Sequence, residues 1–138
     1  MRNMSAIALG LLVVGLGLYA AAAVTPGAYP AAFDAQGHTT NAVALFVMLT
    51  ITLVTTAFGG WVTARLAEDH LTGHALVMAT LGLVSAVFVG AIRWAAVPTW
   101  YHAASWILIP VAAAVGAWAW QRTLRRQRPE TARRTVTT

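Results

Sequence analysis

The segment NAVALFVMLTITLVTTAFGGWVTA, at residues 41–64, contains no Asp, Glu, Lys or Arg over its whole length. A helix that crosses the hydrocarbon core of a bilayer needs about 20 predominantly apolar residues. The segment therefore predicts a transmembrane helix. Residues 4–24, 74–97 and 100–121 meet the same requirement, and Arg93 is the single charged residue inside them.

The composition agrees with four membrane spans. Hydrophobic residues make up 59% of the chain and charged residues 9%, whereas a soluble domain has about 45–50% apolar and about 25% charged residues. We predict an all-α fold, an integral membrane four-helix up-and-down bundle over residues 1–122. The absence of Cys excludes disulfides and thiolate metal sites.

The basic residues predict the orientation of the bundle. All nine are Arg, and an even number of spans places Arg2, Arg65 and the six arginines after residue 121 on one side, leaving Arg93 toward the other. This is the positive-inside pattern, which predicts that both termini are cytoplasmic. We read the net charge of +5 as this signal, and expect no nucleic-acid partner.

Residues 123–138 form a basic tail that we predict to be disordered. The tail is either an orientation signal or a binding segment for anionic lipids, since each basic residue near a charged leaflet contributes about 1 kcal/mol.

The third segment carries the clearest helix-packing motif, Gly82-x-x-x-Ala86-x-x-x-Gly90. Small residues at this spacing let a second helix approach closely in a membrane. The pattern leaves open whether the contact lies within one chain or between chains. Weaker motifs of the same kind occur in the first and fourth segments: Ala6-x-x-x-Gly10, Gly17-x-x-x-Ala21 and Ala112-x-x-x-Gly116.

Small and hydroxylated residues also share one face of the second segment. Thr52, Thr56, Gly59 or Gly60, and Thr63 recur at spacings of three and four. Such a face is typical of close helix contacts in lipid. The alternative is a hydroxyl-lined path for a solute.

Arg93 follows the packing motif on the same helical face, so we expect it to point inward. An ionisable residue within a span is a candidate functional residue. Asp34 is the only acidic residue in the segments on the same side of the membrane, and we predict that it pairs with Arg93 and pins the loop over the bundle. An anion or substrate clamp is the alternative.

His38 and His102 are predicted at the same membrane face as Asp34. Two His and a carboxylate could bind a divalent metal, but their spacing is no recognised metal motif. We interpret them as neutral, hydrogen-bonded imidazoles, and predict no metal site and no particular cofactor. A site for haem, quinone or pigment, with His102 or His38 as a ligand, is a further alternative.

Three short motifs carry a family resemblance: Gly59-Gly60-Trp61-Val62-Thr63-Ala64-Arg65, His74-Ala75 and Pro98-x-Trp100-Tyr101-His102. Over residues 41–122 the chain resembles a loosely defined group of small, uncharacterised bacterial membrane proteins with four spans. The resemblance implies a four-helix bundle in a bacterial inner membrane and no established activity.

No catalytic set can be assembled, since the four predicted spans contain no Asp or Glu and no nucleophile-base pair is recognisable. We therefore predict a non-enzymatic membrane protein that acts through helix packing, as a homo-oligomer or an accessory subunit of a larger membrane complex. The alternatives are a small-solute or ion conductor, lined by the threonines of the second helix and Arg93, and the cofactor-binding protein described above.

Overall fold

The computed structural model describes the backbone of residues 2–134 and the side chains of residues 3–126. This part of the chain is helical without strands, which confirms the all-α prediction. Four long helices are joined by loops and by two short 3₁₀ turns at Pro30–Ala32 and Trp94–Ala96. The long helices are α1 Arg2–Ala28, α2 Ala42–Leu66, α3 Leu71–Ile92 and α4 Thr99–Arg134.

All four helices are long and apolar enough to span a membrane. Their outward faces carry large apolar side chains, such as Phe88 and Ile92 on α3, which are 68% and 70% exposed. Exposed apolar area of this extent is costly in water but not beside lipid tails. The fold is therefore compatible with an integral membrane protein.

The ends of α3 differ from the predicted boundaries of 74–97. The helix begins at Leu71, directly after His70, whose backbone is left-handed with φ 39° and ψ 45°. It ends at Ile92, and Val97 is extended with φ −144° and ψ 158°. The residue before a proline is disfavoured in the helical region, so Pro98 explains why the chain leaves the helix before this point.

The helices α1 and α4 are longer than predicted. Helix α1 continues through Pro26 to Ala28, and α4 continues to Arg134. The backbone of α4 thus extends into the predicted tail as far as Arg134. After Thr123, residues 124–128 of that tail are Leu, Arg and Gln, which are good helix formers. Residues 135–138 lie outside the described part of the chain.

The helices alternate in direction, so the bundle has two distinct ends. At the termini end, the side chain of Asn3 on α1 donates to Asp69 Oδ1 in the α2–α3 connection at 2.9 Å. At the loop end, the backbone N–H of Thr39 donates to the carbonyl of Ala96 at 2.9 Å. The first contact joins the start of α1 to the α2–α3 connection, and the second joins the α1–α2 connection to the α3–α4 connection, which confirms the up-and-down arrangement.

Helix α2 is the central helix, because it packs on α1 and on α4 over long interfaces. Against α1, a Cβ built on Gly59 would lie 2.9 Å from the carbonyl oxygen of Gly10. Against α4, a Cβ on Gly60 would lie 2.9 Å from the Cα of Ala113. Such spacings are impossible for real side chains, so both interfaces require glycine.

Helices α1 and α3 are packed less extensively. Near the termini end, Ile7 and Leu11 of α1 share an apolar cluster with Met78 and Ala79 of α3. Toward the loop end the two helices leave a cavity between them. This cavity holds most of the polar groups that the interior offers, and it is the candidate site.

Candidate functional site

The loop-end cavity has a volume of about 770 Å³, within the roughly 300–1,000 Å³ of small-molecule sites. All four helices line it. Its walls are largely apolar, with Leu11, Leu18, Met48, Val89 and Ile109 among the contributing side chains. The polar groups of α2 and α4 that line it are buried or half-buried: Thr52, Thr56, Tyr101, His102 and Ser105. On α3, the exposed Ser85 also borders it.

Three of these groups occupy neighbouring positions on one face of α4, since residues one turn apart share a helix face. Ser105 is 9% exposed, and its hydroxyl has no hydrogen-bond partner. The phenol of Tyr101 lies close to the hydroxyls of Thr52 and Ser105, without giving Ser105 Oγ a bond of acceptable geometry. Ser105 Oγ is therefore a buried polar atom behind the cavity wall, next to the Tyr101 phenol.

His102 is 7% exposed and is held in an aromatic cluster. Its ring stacks on Trp94, with centroids 4.6 Å apart and planes 6° apart, and the ring of Trp106 is tilted against it at 6.0 Å. Nε2 lies 3.4 Å from the carbonyl oxygen of Trp94. On the facing helix, a Cβ built on Gly90 would lie 3.1 Å from Nδ1. The cluster therefore fixes the imidazole at the cavity wall.

The Gly82-x-x-x-Ala86-x-x-x-Gly90 motif of α3 does not pack against another helix along its whole length. Only Gly90 lies tightly against another helix, through His102. A Cβ on Gly82 would meet nothing nearer than Leu11 Cδ2, at 4.0 Å. Gly82 and Ala86 are half-buried and line the cavity. Their small size leaves space between α1 and α3 instead of closing it.

The weaker motifs make the tight contacts. Gly10 and Gly17 of α1 lie against α2, and a Cβ on Gly17 would be 2.6 Å from Thr55 Oγ1. Gly116 of α4 also lies against α2, where a Cβ would be 2.9 Å from the backbone nitrogen of Trp61. Ala112, the other member of the α4 motif, is half-buried.

Arg93 is exposed, contrary to the inward orientation expected from its position, and lies at the cavity rim. Among the described residues, the predicted Arg93–Asp34 ion pair is not formed. Asp34 Oδ2 lies 3.3 Å from His38 Nδ1, and Asp34 Oδ1 accepts hydrogen bonds from the backbone N–H groups of Gln36 and His38 at 2.9 and 2.8 Å. The carboxylate is occupied within its own loop, so it does not reach α3.

The contacts of Asp34 lower the pKa of its carboxyl below the usual 3.8, chiefly through the backbone N–H of His38. A carboxylate that accepts several N–H bonds is stabilised in its charged form. Asp34 and His38 therefore form a loop closure that is separate from the cavity, because His38 does not line the cavity whereas His102 does. No group of three or more His, Cys, Asp or Glu among the described residues is placed to hold a metal ion.

The polar face of α2 is buried, as its spacing indicates. The hydroxyls of Thr52, Thr56 and Thr63 donate to carbonyls one turn earlier in α2, at 2.7–2.9 Å. Thr52 and Thr56 line the cavity, but Thr63 lies beyond it, against Gly10. The close contact between α1 and α2 at this point closes the bundle toward the termini end, so the threonines do not line one continuous path.

Ser105 and Trp106, which line the cavity, and Trp94, which stacks on His102, are not among the site residues predicted from the sequence. One signal was available: Tyr101, His102, Ser105 and Trp106 recur at the spacing of a single helix face. That pattern marks a shared surface, but it does not show what the surface faces.

The sequence matches no protein-family model, and no curated protein and no solved structure matches it. The resemblance to small bacterial four-span proteins therefore stays a prediction, and the function has to be argued from the cavity.

Proposed function

We propose that this chain is a non-enzymatic integral membrane protein that binds a small amphipathic molecule dissolved in the bilayer. The observation that carries the proposal is the loop-end cavity between α1 and α3. An apolar cavity with a few convergent polar groups is the usual form of a small-molecule site. We therefore prefer the ligand-binding alternative to action through helix packing alone, and the position of the α3 motif beside the cavity supports this choice.

The surroundings of the cavity favour a ligand that partitions into lipid. The helices on either side, α1 and α3, carry exposed apolar side chains such as Leu16 and Val84, which are 61% and 63% exposed. The lining includes no Asp or Glu, and its one charged side chain is Arg93 at the rim. A charged, water-soluble molecule would lose its hydration there without gaining an opposite charge in the interior.

The proposed setting is the cytoplasmic membrane of a bacterium, with the termini end inside and the loop end outside. The distribution of Arg supports this orientation. At the termini end, the guanidinium carbon of Arg65 lies 5.2 Å from the ring centre of Trp61 and 5.5 Å from that of Trp120. Arg and Trp side chains are typical of the level of the lipid headgroups, and the basic end of α4 continues into the region where anionic lipids would bind.

The test is to identify what the protein retains from its membrane. The full chain is purified in a mild detergent, and bound lipids and absorbance are measured in the same peak. Ala86→Phe places a large side chain in the cavity, and Ala91→Phe, on the exposed face of the same helix, is the control. We expect the first variant alone to lose a retained amphiphile. Equal lipid content in all three proteins would refute the proposal.

Helix packing between subunits is a second candidate function, favoured by one observation. Gly82 and Ala86 are half-buried, and among the described residues a Cβ on Gly82 would meet only Leu11 Cδ2, at 4.0 Å. This face of α3 could receive a helix of a second copy or of another membrane subunit. In this case Gly82→Leu would lower the mass of the native complex or remove a co-purifying polypeptide.

Conduction of a solute or ion receives less support. The cavity lining reaches no closer to the termini end than Leu11, Thr56, Met78 and Ile109, and glycine contacts close the bundle beyond them. Flux in proteoliposomes that disappears in Arg93→Ala would favour this alternative.

A further inference from the structure

The loop-end cavity is open on the side where α1 and α3 face away from the bundle. Leu18 and Tyr19 of α1 and Val89 of α3 line the cavity, yet all three side chains are exposed. In the membrane setting proposed above, this outer surface faces lipid. An occupant can therefore enter sideways from the bilayer, with one part between the helices and another part still among the lipids.

The cavity has the height of one bilayer leaflet. Its lining extends on α1 from Leu11 to Pro26 and on α3 from Met78 to Arg93, which is a rise of 15 residues on each helix. At about 1.5 Å per residue, this corresponds to about 22 Å along the helix axis. A bilayer with its headgroups is about 40–45 Å thick. The cavity therefore matches the length of one lipid molecule, from its headgroup to the midplane.

The deep part of the cavity suits a hydrocarbon chain. Leu11, Met78 and Ile109 contribute apolar side chains there. The hydroxyls of the two lining threonines, Thr52 and Thr56, donate to carbonyls of their own helix at 2.9 and 2.7 Å, so their protons are already used. A polar group buried without a hydrogen bond costs free energy. This part of the wall therefore favours a chain that carries no polar group.

The rim of the cavity carries a positive charge. Arg93, at the end of α3, is exposed and is the only Arg, Asp or Glu that lines the cavity. In the part of the chain that the structure describes, its guanidinium has no ion-pair partner, and Asp34 is bonded within its own loop. A guanidinium binds phosphate through two parallel hydrogen bonds. The rim therefore favours an anionic headgroup.

We propose that the cavity binds an anionic phospholipid from the leaflet at the loop end. One acyl chain lies between α1 and α3, and the headgroup lies at Arg93. A zwitterionic lipid carries its own cation beside the phosphate, so Arg93 favours a lipid with a net negative charge. This inference rests on the proposed function and narrows it from any amphiphile to one class of lipid. The charge at the rim and the height of the cavity select this class.

The test is native mass spectrometry of the full chain, freed of lipid in a mild detergent. The protein is titrated with phosphatidylglycerol or with phosphatidylcholine of the same acyl chains. We expect Arg93→Gln to weaken phosphatidylglycerol binding about fivefold, the factor for one basic residue near an anionic headgroup, and to change phosphatidylcholine binding little. Arg93→Lys keeps the charge and should keep the preference. The difference between wild type and Arg93→Gln separates the rim from the arginines at the termini end. An Arg93→Gln variant that keeps the full preference for phosphatidylglycerol would overturn the inference.

The cavity variant separates this inference from the proposed function. Ala86→Phe should remove the tight binding of phosphatidylglycerol, whereas Ala91→Phe should leave it unchanged, and circular dichroism checks that each variant is folded. If the native protein retains an amphiphile that Ala86→Phe loses, but binds the two phospholipids equally, the inference is overturned and the proposed function stands. If Ala86→Phe binds phosphatidylglycerol as tightly as wild type does, the lipid lies outside the cavity and the inference also fails.

Discussion

The contact between α2 and α4 predicts that Gly116→Ala destabilises the bundle strongly. A Cβ at this position would overlap the carbonyl oxygen of Ala57, and would lie 2.8 Å from the Ala57 carbonyl carbon and 2.9 Å from the backbone nitrogen of Trp61. All three atoms belong to the backbone of α2. They cannot move aside as a flexible side chain would, so the two helices must separate.

The expected cost follows from two opposing effects. Overpacking a tight contact costs about 1–3 kcal/mol, or more where the neighbour is rigid, and here we take at least about 3 kcal/mol. Replacing a helical glycine with alanine returns up to about 1 kcal/mol of helix propensity. The net loss should be about 2 kcal/mol or more. Gly15→Ala is the matched control, since a Cβ on Gly15 meets nothing within 4 Å and only the propensity gain applies.

The assay is reversible unfolding in mixed micelles with increasing dodecyl sulfate, followed by circular dichroism. Gly116→Ala should unfold well below the midpoint of wild type, whereas Gly15→Ala should unfold at or above it. Equal midpoints for the two variants would refute the argument that glycine is needed because the backbones touch.

Three further predictions concern single contacts. Ser105→Ala should raise the stability of the lipid-free protein by about 1 kcal/mol, because it removes an unpaired hydroxyl, and a lower unfolding midpoint would contradict this. The side-chain oxygen of Asn41 caps α2 by accepting a hydrogen bond from the backbone N–H of Ala44 at 3.2 Å. Asn41→Ala should therefore lower the free energy of unfolding by about 1 kcal/mol in the same assay. An unchanged unfolding midpoint would disprove the cap. The contacts of Asp34 lower the pKa of its carboxyl in the folded protein. Asp34 should therefore stabilise the loop at pH values above its unfolded pKa, near 4. This stabilisation should be lost as the pH falls through the folded pKa. Amide exchange of residues 34–38 should show this transition, which Asp34→Asn should abolish; a transition that persists in Asp34→Asn would assign it to another group.

Local properties of the chain allowed the helices to be predicted. Hydrophobicity over about 20 residues is enough to define a span, and the buried face of α2 follows from the period of Thr52, Thr56 and Thr63. The ends were less predictable. The left-handed His70 and the early end of α3 depend on how the chain turns between helices, which hydropathy does not report.

The polar contacts could not be predicted, because they depend on competition between partners. Sequence placed Arg93 and Asp34 on one side of the membrane, but a carboxylate bonds first to donors that are already close. Backbone N–H groups two and four residues away satisfy Asp34, so no long-range pair forms with Arg93.

By itself, the sequence determined that the chain forms four apolar helices and which residues are small enough for close contact. Only the tertiary structure decided how these features are used. A small-x-x-x-small motif permits a close approach but does not choose a partner, since that choice depends on the fit along two whole helices. Gly116 therefore packs against α2, while Gly82 and Ala86, in the clearest motif, border a cavity. The cavity brings Ser105 and His102 together with apolar walls from other helices, a convergence that exists only in three dimensions.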